Sequence, residues 1–321
     1  MNKKIIFSAG GTGGHIFPAI NLMKYLSKKG YKVILATDNR GSKFLKNYSN
    51  FNSYIINTST PSHKNYIKKF FSFIMIFYSI VRSIFILKKE KPNLIIGFGG
   101  YVSFPISYSS KFYNIPLLIY ENNLVLGRAN KKLLKLSQKI LLGLKTPINF
   151  PEKYKNKISK VGHILNNEII AYPYVQKKYD DKKISILVLG GSQGAEVFGR
   201  IIPATIQMLK NLGYLIEITQ QCTEIQKRSL IQFYNKNEIK NNIFSFSNNI
   251  LDLISSSDLA ISRCGASTSA ELVNTFTPFV AVPYPHSMDN HQYLNAKHYE
   301  QEGCCWLLEE KNFNSINLFN L

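Results

Sequence analysis

The run Gly10-Gly11-Thr12-Gly13-Gly14-His15 places an imidazole directly behind a turn made almost wholly of glycine. Between a strand and a helix, such a turn lets backbone N–H groups approach phosphate or sugar oxygens, and the helix N-terminus adds partial positive charge. Gly190-Gly191-Ser192-Gln193-Gly194-Ala195 repeats the device in the second half of the chain. Two such turns point to an anionic ligand. Neither carries a cofactor fingerprint: Gly11-Thr12-Gly13 lacks a third glycine at dinucleotide spacing, and no P-loop pattern occurs. Asp38 is nonetheless placed as the ribose acid of a nicotinamide or flavin enzyme would be, and that reading stays open at this level. His15 suits a general base, because an unperturbed imidazole titrates near neutral pH. A structural hydrogen bond across the turn is the other role open to it.

A third turn runs from Ser262 through Arg263, Cys264, Gly265 and Ala266 into a helix that carries Glu271. Its small residues expose N–H groups to a phosphate, and Glu271 could accept both hydroxyls of a ribose diol. Alternatively, Glu271 stabilises the helix start as a surface carboxylate. The proline-shaped loop 282–296 follows, rich in neutral donors and acceptors suited to sugar hydroxyls. His286, His291, His298, Cys304 and Cys305 could be drawn as metal ligands, but their spacings fit no usual zinc pattern. No D-x-D occurs either, so neither a metal nor another cofactor is expected.

Positioning these groups falls to alternating strands and helices. Apolar runs at residues 4–8, 32–37, 54–57, 94–98, 117–120 and 139–142, then 184–189, 214–219, 243–246, 259–262 and 279–283, alternate with helix-like stretches, as parallel βαβ units do. The expected fold class is α/β: two Rossmann-like, doubly wound domains facing across a cleft, residues 1–161 and 162–321, joined near Val161-Gly162-His163. The 321 residues suffice for two cores. Four cysteines in a chain of this size suggest no disulfide framework and fit a reducing cytoplasm. The apolar run after Lys3-Lys4 stops at Gly10, too short for a signal peptide.

Charge is divided unevenly. Residues 1–161 carry 27 Lys and Arg against 4 Asp and Glu, a net +23, whereas residues 162–321 carry 13 against 15. A field confined to one half implies an extended anionic partner there, a membrane surface or a nucleic acid; lysine drift alone would not spare the second half. Residues 70–87 are apolar on nearly every face and approach bilayer-spanning length, but Arg82 interrupts them and Pro92 and a strand follow at once. This segment therefore reads as a crossover helix, either wholly buried or with its outer side in the headgroup boundary. In the second case Phe73 and Phe77 enter the boundary, with Lys68, Lys69, Lys88 and Lys89 flanking them. Because the aromatics crowd into one helix and do not interleave with the cations, no nucleic acid is expected as partner, although a non-catalytic nucleic-acid-binding protein is the rival class.

Taken in order, residues 10–15, Gly99-Gly100-Tyr101-Val102-Ser103, Glu121-Asn122-Asn123, residues 190–195, residues 263–271 and Asp289-Asn290-His291-Gln292 resemble the MurG family, the family 28 N-acetylglucosaminyltransferases of peptidoglycan synthesis. The resemblance implies the GT-B fold, UDP-N-acetylglucosamine (UDP-GlcNAc) as donor and an undecaprenyl-linked anionic lipid as acceptor. It implies inverting transfer to the muramoyl 4-hydroxyl, lipid I becoming lipid II, at the cytoplasmic face of the bacterial inner membrane, with another UDP-sugar transferase on a lipid acceptor as the nearest alternative. His15 falls at the candidate general base and Glu121 at a second catalytic position. Donor-binding positions fall on Thr12, Gly13, Gly14 and Asn166, on Ser192 at the diphosphate, Ser247 at the uracil, Glu271 at the ribose, and Asn123, Gln292 and His291 at the GlcNAc.

Several positions depart from the family pattern. Tyr120 stands where a His is common, His163 and Ile164 where Asn and Pro are usual, and Asn166 where an Arg lies near the diphosphate. Losing that charge-assisted contact would cost roughly 1.5–3 kcal/mol of donor binding. Family members also continue beyond the position of Leu321, so the C-terminal domain is expected to be shortened at its end.

Overall fold

The structure is a computed structural model that describes residues 3–45, 51–60, 65–174, 182–191, 195–247 and 249–321. The chain divides into two units, Met1–Asn166 and Asn167–Leu321. This division falls beyond the Val161–Gly162 boundary drawn from the sequence, because residues 162–164 remain tied to the first sheet. Gly162 N donates to Leu142 O (3.2 Å), and Ile164 N donates to the Tyr120 hydroxyl (3.2 Å).

In the first unit the strands are β1 (Lys4–Ser8), β2 (Lys32–Thr37), β3 (Asn52–Ile55), β4 (Leu94–Gly97), β5 (Leu117–Glu121), β6 (Lys139–Leu142) and β7 (Ile158–Lys160). They form one sheet in the order β3-β2-β1-β4-β5-β6-β7, with every neighbouring pair parallel. Successive side chains alternate across the pleat. Ile5 and Phe7 pack with Ile16, Ile20 and Met23 of the Gly13–Lys28 helix, whereas Ile6 packs with Ile34, Ile86, Leu87 and Ile95 on the other face. Covering both faces is what makes the strands read as near-continuous apolar runs. Ser8 pairs with Ala36 on one side and Gly97 on the other, so strand order reverses at β1. Sheets of this kind bind ligands outside the carboxyl ends of the strands at that reversal.

The second unit repeats the plan with β8 (Lys183–Leu189), β9 (Leu215–Gln221), β10 (Lys240–Phe244), β11 (Leu259–Ser262), β12 (Phe279–Ala281) and β13 (Cys305–Leu307). Their order is β10-β9-β8-β11-β12-β13, again all parallel, and the reversal lies between β8 and β11. Ile186, Val188, Phe198, Ile202, Ile218 and Ile261 belong to its core.

Differences from the sequence reading are concentrated at sheet edges. β3 and β10 begin earlier than their apolar runs because pairing sets their register: Ile34 with Asn52, and Glu217 with Lys240. The Lys240 ammonium lies 3.1 Å from the Glu217 carboxylate across that pair. β7 and β13, with three residues each, are too short to show a period-two pattern.

The helix Tyr66–Glu90 fills the crossover slot. Asn65 caps it, accepting from Ile67 N (2.9 Å) and Lys68 N (3.2 Å), and it ends at Lys91 in a left-handed conformation (φ 46°) before Pro92. Its burial is inverted: Ser72, Ser79 and Ser83 face inward with Ile86 and Leu87, while Phe70, Phe73, Phe77 and Phe85 are 64%, 52%, 69% and 66% exposed. The wholly buried alternative is therefore excluded. Each inward serine donates to the carbonyl one turn earlier, at 2.6–2.8 Å, so the packed face satisfies its own hydroxyls. Among the described residues, this is the one helix long and apolar enough to cross a membrane. Its serine side nonetheless rests on the domain, with Ser79 Oγ 2.6 Å from Asn57 O and Ser109 Oγ donating to Ile80 O (3.3 Å).

Candidate active site

In the first unit the turn after β1 opens at the strand reversal. Thr12 is the N-cap of the Gly13–Lys28 helix without a side-chain cap bond, and among the described residues the N–H groups of Thr12, Gly13 and Gly14 reach no protein acceptor. Such donors can receive an anion. The N–H of Gly11 is already used: Asp38 Oδ1 accepts from Gly11 N (3.2 Å) and Gly41 N (2.7 Å), while Oδ2 accepts from Arg40 Nε (3.1 Å). Burial pushes the Asp38 carboxyl up, but the hydrogen bonds from Gly41, Gly11 and Arg40 outweigh it and hold the group below the usual carboxylate range. With both oxygens engaged, Asp38 shapes the turn, and the ribose-acid reading falls. The sequence reading missed Arg40. Its guanidinium stacks over the Tyr101 ring (5.3 Å), donates to the Tyr101 hydroxyl and borders Gly11, where an added Cβ would stand 3.4 Å from Nη2. The Asp38-x-Arg40 spacing was the signal available.

His15 lies in the first turn of the same helix, half-buried. Its ring rests on the second glycine turn, after β4. Gly99 (φ +87°) could not take a side chain there, since a Cβ would sit 3.2 Å from His15 Cε1 and 3.3 Å from Nδ1. At the end of β5, Asn122 Nδ2 donates to Gly14 O (2.8 Å), and Asn123 Nδ2 donates to Asn122 Oδ1 (2.8 Å). Glu121 is 3% exposed and accepts four hydrogen bonds: from Asn123 N and Nδ2 at Oε1 (both 3.2 Å), and from Gly127 N (2.8 Å) and Asn130 Nδ2 (3.0 Å) at Oε2. Its carboxylate thus anchors the loop that carries Asn123. Thr12, Gly13, Gly14, His15, Glu121 and Asn123 are one connected set.

In the second unit Gly191 holds φ +82°, as Gly11 holds +84° in the first. Ser192 lies outside the described residues. Arg263 is the organiser of the next turn. Its buried guanidinium donates to Val282 O (3.1 Å), Pro283 O (3.2 Å) and the Glu310 carboxylate, and it lies 4.9 Å from the Phe198 ring centroid and 5.5 Å from that of Tyr284. Gln292 Oε1 accepts from Tyr284 N (2.9 Å) and Cys264 N (3.2 Å), which leaves its Nε2 to donate outward. His291 Nδ1 lies 2.7 Å from Met288 O; a carbonyl can only accept, so Nδ1 carries a proton, and in the neutral ring Nε2 is the acceptor. Asp289 and Asn290, both left-handed (φ 51° and 57°), turn the chain sharply into the His291–Gln301 helix.

Glu271 sits on the Ala266–Asn274 helix, and its carboxylate accepts no hydrogen bond from any described residue. Burial pushes that carboxyl up to about 7. The buried Ser267 Oγ of the same helix likewise has no protein partner. Ser247 follows the edge strand β10 and accepts from Asn249 N (3.1 Å). Asn166 closes the first unit, half-buried, two residues beyond Ile164. Among the described residues no group of three metal-ligating side chains assembles, so His286, His291, His298, Cys304 and Cys305 form no such cluster.

The model of the glycosyltransferase family 28 N-terminal domain matches residues 5–142, and that of its C-terminal domain matches residues 185–321. The chain belongs to glycosyltransferase family 28. A UDP-N-acetylglucosamine–N-acetylmuramyl-(pentapeptide) pyrophosphoryl-undecaprenol N-acetylglucosamine transferase of Pelagibacter ubique is 38% identical over 321 residues, covering 100% of this chain and 88% of its own. The enzyme of that name from Rickettsia canadensis is 35% identical over 98% of this chain and 88% of its own. A crystal structure of Acinetobacter baumannii MurG matches with a TM-score of 0.77 at 25% identity, over 99% of this chain and 89% of that one. Family 28 membership makes the chain a glycosyltransferase, built from two Rossmann-like units of the GT-B class.

Proposed function

We propose that this family 28 enzyme moves GlcNAc from UDP-GlcNAc to undecaprenyl-diphospho-MurNAc-pentapeptide, the donor and acceptor in the names of its relatives, and that the muramoyl 4-hydroxyl is the group that receives it. The observation that carries this reading is identity of 38% over the entire chain to a transferase so named. The acceptor hydroxyl attacks the anomeric carbon of GlcNAc, its proton passes to His15, and the bond from that carbon to the diphosphate oxygen breaks. UDP leaves with the bonding electrons, and the anomeric centre inverts. Donors fixed before reaction stabilise the leaving diphosphate, which is where electrostatic catalysis contributes most. The chemistry as written uses no metal or other cofactor.

Several features support the assignment of parts. Glu271 holds an unpartnered carboxylate of the kind a ribose diol would satisfy, with Gln292 Nε2 and His291 Nε2 as the donor and acceptor for GlcNAc hydroxyls. Ser192 and Asn166 are assigned to the diphosphate and the backbone at Ser247 to the uracil. Thr12, Gly13 and Gly14, with the Arg40 guanidinium beside them, offer donors for a phosphate or sugar oxygen. Glu121, at the second catalytic position, holds Asn123 in place through the hydrogen bonds its carboxylate accepts from this loop.

The enzyme docks peripherally on the cytoplasmic face of the inner membrane, through the outward aromatics of the Tyr66–Glu90 helix, with Lys68, Lys69, Lys88 and Lys89 at its ends. Aromatic side chains enter the interface while lysines meet anionic headgroups, each worth about 1 kcal/mol near such a surface. Incubation with labelled UDP-GlcNAc and a short-chain prenyl-diphosphate acceptor, in the presence of a chelator, tests the whole reading. Labelled lipid product is expected; label confined to UDP-GlcNAc or free GlcNAc would contradict it.

A further inference from the structure

Tyr120, 1% exposed, ends in a hydroxyl that answers both polar groups of one backbone turn. It accepts from Ile164 N at 3.2 Å and donates to Gly162 O at 3.4 Å. Gly143 leaves room for it, since a Cβ there would stand 2.8 Å from the hydroxyl and 3.2 Å from His163 Nδ1. The Tyr120 ring packs against Phe98, centroids 5.4 Å apart, next to the glycine turn that supports His15. Gly162 is itself left-handed (φ +77°), so residues 162–164 have a defined bend that no regular ladder holds. The N–H of Ile164 needs a partner in this half-buried place, a need a proline at that position would not have.

We infer that Tyr120 is a positioning residue for donor binding: its hydroxyl fixes the bend at residues 162–164 and so sets where Asn166 meets the donor diphosphate. The inference rests on the UDP-GlcNAc reading for its consequence, though not for the latch itself. Phenylalanine at 120 would keep the ring against Phe98 and remove the hydroxyl, leaving the Ile164 N–H and the Gly162 carbonyl without it.

The test compares Tyr120→Phe, Ile164→Pro and the double variant, with KM for each substrate and amide hydrogen exchange at Ile164 in the first. A neutral hydrogen bond contributes about 0.5–1.5 kcal/mol, or roughly 2- to 12-fold. Tyr120→Phe is expected to raise KM for UDP-GlcNAc by about that factor, with kcat and acceptor KM within about twofold, and to speed Ile164 exchange similarly. The double variant, with no N–H left to satisfy, is expected to return donor KM to within about twofold of Ile164→Pro alone. An unchanged donor KM, or equal rises for both substrates with no recovery in the double variant, would reduce Tyr120 to core packing and overturn the inference. Should the chain use another donor, Ile164 exchange still decides the latch: faster exchange upholds it, and unchanged exchange ends it.

Discussion

Asn122 donates its side-chain amide to the backbone carbonyl of Gly14 at 2.8 Å, joining the end of β5 to the residue before His15. The strand between them in the sheet, β4, is bridged by this bond. Asn122 is buried, so Asn122→Ala leaves the Gly14 carbonyl without this partner, while Asn123 Nδ2 keeps its bond to Glu121 Oε1. An uncompensated buried group costs about 1–3 kcal/mol, and urea unfolding should show a loss in that range. A loss well below 1 kcal/mol would mean that water replaces the bond.

Gly99 makes room for the His15 imidazole. In Gly99→Ala the new methyl would stand 3.2–3.3 Å from the ring in a backbone conformation (φ +87°) that alanine resists. The backbone strain alone is about 1–2 kcal/mol, and the ring must shift as well. Turnover should fall at least tenfold while UDP-GlcNAc affinity by calorimetry stays within about twofold. Unchanged turnover would show that the position of this ring is unimportant.

Glu271 makes donor binding depend on pH. Its carboxyl is raised to about 7 by burial, so below that value it carries a proton and can accept less well from a ribose diol. Affinity for UDP-GlcNAc should therefore weaken by up to about tenfold per pH unit below 7, and the dependence should vanish in Glu271→Gln. Stability moves the opposite way. Between the ordinary value of 4.5 and about 7 the unfolded chain binds fewer protons than the folded one, so unliganded stability falls as pH rises through this window. Chemical unfolding from pH 4.5 to 7 should show that slope in the wild type and a flatter one in Glu271→Gln.

The exposed aromatics of the Tyr66–Glu90 helix contribute little to folding and much to docking. Phe73→Ser with Phe77→Ser should leave the melting temperature within about 2 °C, since both rings are more than half exposed. Co-sedimentation with vesicles containing anionic lipid should drop severalfold, and wild-type binding should weaken at high salt. Indifference of wild-type binding to lipid charge and salt would refute docking through this surface.

The fold was legible wherever a strand is buried on both faces, as at β1, β4 and β8, because the apolar run is then the strand itself. It was illegible at β7 and β13, where three residues gain their identity from a neighbour. Glycine patterns located His15, since Gly11 and Gly99 hold left-handed conformations that few other residues adopt, whereas the turn before Glu271 was marked by its run of small residues, Gly265 being extended (φ −65°). Arg40 and Asn122 were not found as site residues because their roles depend on partners far away in sequence: Tyr101 for one, Gly14 for the other. The inverted burial of Tyr66–Glu90 escaped for a different reason. A helix apolar on nearly every face has no periodicity to reveal its inner side, and the three inward serines became informative once their backbone bonds were seen.

In the proposed reaction His15 takes the acceptor proton during GlcNAc transfer, and kcat of His15→Asn at saturating acceptor and UDP-GlcNAc is the measurement that decides it. A positioned base contributes about 10²–10⁴-fold, so kcat should fall by that factor while UDP-GlcNAc affinity and the unfolding transition stay close to wild type. A folded His15→Asn enzyme that keeps wild-type kcat would rule out His15 as the base.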